Sequence, residues 1–288
     1  MRRLVLAAVL FAVAAHADEP QLTLPLVDGS CRFAVIGDTG TGDAAQYRIG
    51  AEMAKVRLRF PFGLVLMLGD NIYGRDTADD MKRKFEEPYK PLLDAGVVFH
   101  ASLGNHDDPS QRFYALFNMG GERYYTYTCP HDSVRFFALD TNYMTPDQVD
   151  WLGKSLRAAT ERWKICYFHH PIYSTGKTHG SDVELRKTLE PLFVAYGVDV
   201  VFSGHDHLYE RFAPQKGITY FVSGSAGKLR TDDALPQPGL TAKTFDGAHH
   251  FVLVEGAGDG LSFQAISEAG TTVDSGTIPR RATLAPPP

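Results

Sequence analysis

Cysteine is scarce in this chain, with three among 288 residues. That excludes a disulfide scaffold, and the spacing of Cys31, Cys129 and Cys166 fits no zinc cluster. Cys166 lies in an apolar run and reads as a buried small hydrophobe. Cys31 and Cys129 remain as the pair to test for a disulfide. Basic charge is scarce too. Lys and Arg number 29 against 34 Asp and Glu, a net charge of −5 with His neutral. Binding of nucleic acid through broad electrostatics is therefore not expected. A local positive site built from metal ions stays open. The leading apolar run, residues 4–14, falls short of the ~20 residues that span a bilayer.

Residues 1–17 have the layout of a secretory signal peptide instead. Arg2 and Arg3 precede the apolar run, and Ala15-His16-Ala17 offers a small-residue cleavage site. No cysteine follows Ala17, so no lipid attachment is expected there. Cleavage would leave a secreted or periplasmic protein with no membrane segment. Residues 18–279 read as one domain, and residues 280–288, ending in three prolines, as a loose tail.

What is present is a series of short apolar runs with polar ends. Residues 32–38 and 63–69 are two such runs, and each ends in Gly-Asp. A short apolar run bounded by glycine suits a buried parallel strand. Polar groups at the C-terminal ends of such strands face the crevice where open α/β sheets bind ligands. Residues 97–103, 164–168 and 198–202 read as further strands. Helices are expected over 43–60, stopped by Pro61, over 77–94 with breaks at Pro88 and Pro91, over 109–117, and over 182–196. Another runs from Thr145, with Thr as N-cap and Pro at the first helical position, to about residue 160. Residues 124–129 and 134–139 read as two strands joined by a turn at 130–133. After residue 207 the helices stop. Residues 220–223, 250–255, 261–266 and 271–278 read as strands, with Gly258-Asp259-Gly260 as a hairpin turn. The expected fold class is α/β, a two-sheet β-sandwich flanked by helices.

Five strand ends carry oxygen or nitrogen donors. They are Asp38; Asp70 with Tyr73; Asn105 with His106 and Asp107; His169 with His170; and His205 with His207. Carboxylate, phenol, amide and imidazole donors suit iron, zinc and manganese. A carboxylate has two oxygens, so one Asp can bridge two ions, and two ions ~3.5–4 Å apart can clamp a phosphoryl group. A phenolate ligand favours a trivalent, strongly acidic ion, because a phenol's own pKa is ~10.

At these residues the sequence resembles the metallophosphoesterases. Gly37-Asp38-Thr39-Gly40, Gly69-Asp70-Asn71-Ile72-Tyr73, Gly104-Asn105-His106-Asp107, Cys166-Tyr167-Phe168-His169 and Gly204-His205-Asp206-His207 look like that family's five ordered blocks. Gly40, where the Ser/Thr phosphatases and nucleases place a His, and Tyr73 point to the purple acid phosphatase branch, of the small single-domain tartrate-resistant type. One departure is Cys166, where the fourth block usually opens with Val. The pair His169-His170 leaves a choice of ligand, and the pattern His, any residue, Pro favours His169.

The resemblance implies a four-layer α/β/β/α fold and a dinuclear centre. A ferric ion would be held by Asp38, Tyr73 and His207. A divalent iron, zinc or manganese ion would be held by Asn105, His169 and His205, with Asp70 bridging. It implies an acid phosphatase that hydrolyses monoesters of a small phosphorylated substrate by attack of a metal-bound hydroxide. A phosphodiesterase, or a protein that binds metal or phosphate without turnover, is the alternative. His106 would contact the phosphate or protonate the leaving group. Asp107 would either orient His106 or hold the loop backbone. His179 resembles a His placed over the leaving group. His100, His131, His249 and His250 match no block and read as structural or surface residues.

Overall fold

The computed structural model describes residues 21–129 and 134–281. The expected signal peptide, the turn at 130–133 with His131, and residues 282–288 lie outside the described residues.

The chain order is β1 (Cys31–Ile36), α1 (Ala44–Arg57), β2 (Leu64–Met67), α2 (Ala78–Met81), α3 (Lys90–Asp94), β3 (Val98–Ala101), β4 (Tyr125–Thr128), β5 (Val134–Ala138), α4 (Pro146–Ala158), β6 (Trp163–Phe168), α5 (Val183–Ala195) and β7 (Val200–Ser203). Strands follow: β8 (Tyr209–Phe212), β9 (Thr219–Ser223), β10 (Thr241–Phe245), β11 (His250–Ala257), β12 (Gly260–Ser267) and β13 (Thr272–Pro279). One sheet has the order β13-β12-β11-β1-β2-β3, and the other β10-β8-β9-β7-β6-β5-β4. The β1–β2–β3 ladders are parallel, as are β5–β6–β7 and β7–β9. All the donor-bearing ends therefore point to one edge of the sandwich.

The layering follows from which residues alternate inward. Phe33, Val35, Leu66 and Val252 of the first sheet meet Phe136, Tyr167, Phe202 and Phe221 of the second in the core between the sheets. The opposite face of the first sheet, with Ala34, Ile36 and Val65, packs under Ile49, Met53 and Val56 of α1. The outer face of the second sheet, with Phe137, Cys166 and Val201, packs under Leu152 and Leu156 of α4 and Leu189 and Phe193 of α5. Each such large side chain contributes roughly 1.5–3 kcal/mol on burial. Strands covered on both faces read as continuous apolar runs, which is why β1, β2, β6 and β7 were legible. The four-layer sandwich is the expected one.

Thr145 caps α4 by accepting from the Gln148 N–H, with Pro146 as its first residue. Cys31 and Cys129 form a disulfide that ties the start of β1 in one sheet to the end of β4 in the other, and Cys166 is free and buried. The reading did not include β8 and β10, and it differs from the structure in two helical segments. The segment 77–94 divides into α2, a π-helical turn at Lys82–Glu86 and α3. Residues 109–117 form two 3-10 turns. After β13 the Arg280 N–H donates to the Asp259 carbonyl and Arg281 Nη1 to the Val198 carbonyl.

Candidate metal centre

Three of the expected donors sit in a backbone conformation that side chains avoid. Asp38, Asp70 and His205 have φ of 54°, 51° and 70°. Left-handed non-glycine residues are uncommon, cost energy, and persist where the surroundings over-determine them. Hydrogen bonds between strand ends do so here. The His205 N–H donates to Asp38 Oδ2 at 2.9 Å, joining the end of β7 to the end of β1 across the two sheets. The His106 N–H donates to Asp70 Oδ1 at 3.0 Å. Gly204 leaves room for this, because a Cβ there would lie 2.5 Å from Asp38 Oδ2. The five donor-bearing ends come from two sheets, β1, β2 and β3 in one and β6 and β7 in the other.

The donors fall into two groups. Tyr73 Oη lies 3.2 Å from Asp38 Oδ1 and 3.3 Å from His207 Nε2, and His207 Nε2 lies 3.3 Å from Asp38 Oδ1. In the second group His169 Nε2 lies 2.9 Å from Asn105 Oδ1 and 3.1 Å from His205 Nδ1. Asp70 touches both: its carboxylate clusters with Asp38 and His207, and its Oδ1 is 3.4 Å from His169 Nε2.

This packing fits a cation better than protein alone. His169 Nδ1–H donates to the Leu68 carbonyl at 3.0 Å, which leaves Nε2 as a bare lone pair. That lone pair faces the Asn105 oxygen and the His205 nitrogen. Burial pushes the Asp38 carboxyl well above its ordinary range, with the Asp70 charge adding to it. Burial also lowers His205 to about 2 and His207 to about 4, and takes His169 far below its ordinary value. The Tyr73 phenol is pushed up, by burial first and then by Asp38. Among the described residues no Lys or Arg forms an ion pair with Asp38 or Asp70. Bound cations invert such local electrostatics and need neutral imidazoles and deprotonated oxygens as ligands.

The remaining expected residues are placed as follows. The His106 ring packs 4.9 Å from the Tyr73 ring, and the His179 ring 4.0 Å from the His205 ring, and both imidazoles are exposed. Asp107 turns to the loop backbone. It accepts from the N–H groups of Ile72 and Gly104 and from Asn71 Nδ2, so it fastens the β2 loop to the β3 loop. His170 belongs beside the second group and can join His169 and His205 around one point, although its Nδ1 is engaged by Thr141 Oγ1 at 2.9 Å. His250 is buried against Ser223, and His100 stacks on Tyr127, as structural residues.

Two cations at the rim were not expected. Lys228 Nζ lies 4.8 Å above the Tyr73 ring, and the Arg230 charge acts on both His207 and His179. They sit on the loop after β9, whose Gly227 and Lys228 N–H groups donate to the Asp38 carbonyl. The cue in the sequence was Ser223-Gly224-Ser225-Ala226-Gly227, a small-residue strand end like the others.

The calcineurin-like phosphoesterase family matches residues 31–209, and the chain belongs to it. This is a family of dinuclear-metal phosphoesterases, and the two donor groups sharing Asp70 fit that class. More particularly, the chain is similar to tartrate-resistant acid phosphatase type 5 of Rattus norvegicus, with 24% identity covering 95% of each chain. Among solved structures it resembles the purple acid phosphatase PPD1 of yellow lupin, with TM-score 0.69 and 20% identity over 87% of this chain and 54% of that one. It also resembles GAP50, the anchor in the inner membrane complex of Plasmodium, with TM-score 0.79 and 19% identity over 88% and 90%.

Proposed function

We propose that this protein is an exported acid phosphatase that hydrolyses phosphate monoesters at a centre of two metal ions. The observation that carries the reading is the pair of donor groups joined by Asp70, with a bare His169 lone pair turned on Asn105 and His205. Asp38, Tyr73 and His207 would hold a ferric ion, the harder ion taking carboxylate and phenolate. Asn105, His169 and His205 would hold divalent iron, zinc or manganese, with Asp70 between the two. When bound, the ions supply positive charge to the phosphoryl oxygens and an activated water.

The chain's own residues supply the rest. Lys228 and Arg230 at the rim match the second negative charge of a monoester, which a diester lacks. His106, packed by Tyr73, and His179, packed by His205, are both exposed and would give a proton to the departing alkoxide. Asp107 keeps the β2 and β3 loops in register. Residues 18–279 act as one domain behind a cleaved leader. The Cys31–Cys129 disulfide supports export, and among the described residues no helix is long and apolar enough to cross a membrane.

The test is hydrolysis of an aryl phosphate by the purified protein with total metal counted in the same sample. Turnover with about two ions per chain, and monoester rates above diester rates, is the expected result. Two ions and no turnover, across pH and with iron, zinc or manganese supplied, would replace the phosphatase with a binding protein.

A further inference from the structure

Beside the proposed divalent site the mouth continues into a cavity of about 400 Å³, lined among others by Asn105, His170, Arg123, Thr141 and Tyr143. The β5 strand end, Asp140-Thr141-Asn142-Tyr143, forms one wall. This is a further strand end at the same edge of the sandwich. It carries no metal donor of its own, because Asp140 is committed elsewhere. Asp140 Oδ2 accepts from Arg123 Nε at 2.7 Å, and its Oδ1 accepts from the Asn142 N–H.

The wall is held from three directions. Asn142 Nδ2 donates to the carbonyls of Leu103 and Gly104, next to Asn105. Gln148, buried in α4, donates to the carbonyls of Asp140 and Tyr143 and accepts from the Asp140 N–H. The Arg123 guanidinium then lies 4.3 Å from the Tyr143 ring centre. Tyr143 is nonetheless 58% exposed, while Arg123 Nη2 is buried and has no hydrogen-bond partner among the described residues. An aromatic ring on a hydrogen-bonded stretch of backbone, with a cation against it and over half of the residue open to solvent, borders the same cavity as Asn105 and is a surface for stacking a flat group.

We propose that this cavity is the leaving-group subsite and that Tyr143, supported by Arg123, selects phosphate esters whose leaving group is a planar aromatic, such as an aryl alcohol or a nucleoside, over aliphatic ones. The proposal rests on the phosphoesterase reading of the adjoining centre. Rigidity of the support matters, because a platform already ordered costs little to use. The phosphate then stays on the donors of the centre while the ring lies against Tyr143.

Phenylphosphonate and methylphosphonate, which cannot be hydrolysed, separate the two readings. Their affinities for the metal-loaded chain are measured by calorimetry for the wild type, Tyr143→Ala and Tyr143→Phe, alongside turnover of phenyl phosphate and glycerol phosphate. The wild type is expected to prefer the phenyl ligand. Tyr143→Ala should reduce the phenyl-to-methyl ratio about tenfold, in line with stacking on an aromatic side chain, and Tyr143→Phe should keep it. An unchanged ratio in Tyr143→Ala overturns the subsite, as does a wild type that binds both alike or neither. Turnover with an unchanged ratio removes the subsite and keeps the phosphatase. Selective phenylphosphonate binding without turnover does the reverse.

Discussion

Gly40 is the position where a single added carbon should disable the centre. A Cβ on Gly40 would lie 1.8 Å from the Asn71 carbonyl oxygen, 2.3 Å from its carbon and 2.5 Å from Ile72 Cα, all of them backbone atoms. Restoring an ordinary contact of 3.4 Å moves the Asn71 carbonyl by about 1.6 Å. That backbone cannot yield freely. The Gly40 N–H donates to the Asp70 carbonyl at 3.3 Å, and the Tyr73 N–H donates to the Gly40 carbonyl at 2.9 Å. The displaced peptide lies between Asp70, which both donor groups share, and Tyr73. Misplacing catalytic groups by ~1 Å costs on the order of 100-fold in rate, so kcat/KM of Gly40→Ala should fall at least that far. Overpacking costs about 1–3 kcal/mol. At about 2.1 cal/mol/K per residue for 288 residues, Tm should drop by only ~2–5 °C, leaving a folded protein to assay. Gly63→Ala is the control, since nothing lies within 4 Å of its Cβ position and its φ is ordinary. Near wild-type turnover by Gly40→Ala with two metals bound would refute the reasoning. The Asn71–Ile72 backbone occupies the space that any side chain at position 40 would need.

Three further outcomes are expected. Replacing Cys31 and Cys129 by Ala opens a loop with a sequence separation of 98, worth about 4.7 kcal/mol of unfolded-state entropy. Tm should fall by roughly 8 °C, and equal melting of variant and wild type would dismiss the link as a stabiliser. His250 is fully buried, and burial, aided by the His249 charge, lowers it to about 3. Its folded value lies below its unfolded value, so the unfolded chain binds the extra proton between about pH 6.5 and 3, and stability falls as pH falls through that window. Between pH 7 and pH 4 this amounts to ~3 kcal/mol. Urea midpoints of His250→Gln should change less over that range than those of the wild type, and parallel changes would show that His250 does not titrate as described. Tyr73→Phe should remove a visible phenolate-to-iron band from the iron-loaded protein; a band that survives would take Tyr73 out of the ligand set.

Much of this was legible in local pattern. The apolar strands covered on both faces, the Gly-Asp ends and the Thr145 cap each follow from a few adjacent residues and their periodicity. Strands β8 and β10 were missed for the same reason. Tyr209-Glu210-Arg211-Phe212 carries two charges, with Glu210 buried on Ser174 and Thr175, and β10 is a polar, half-exposed edge strand. Neither shows an apolar run.

By itself, then, the sequence determined which side chains stand at strand ends, because strand burial and the turn residues that stop it are written locally. Only the tertiary structure decided what those ends meet. The two sheets bring β1 and β7 within one hydrogen bond of each other. The Leu68 carbonyl, far from His169 in sequence, fixes that imidazole's tautomer. Asp107 is drawn to backbone N–H groups and Asp140 to Arg123. The physical reason is that hydrogen-bond partners and close backbone approaches are chosen by packing between distant segments, and no periodicity along the chain records them.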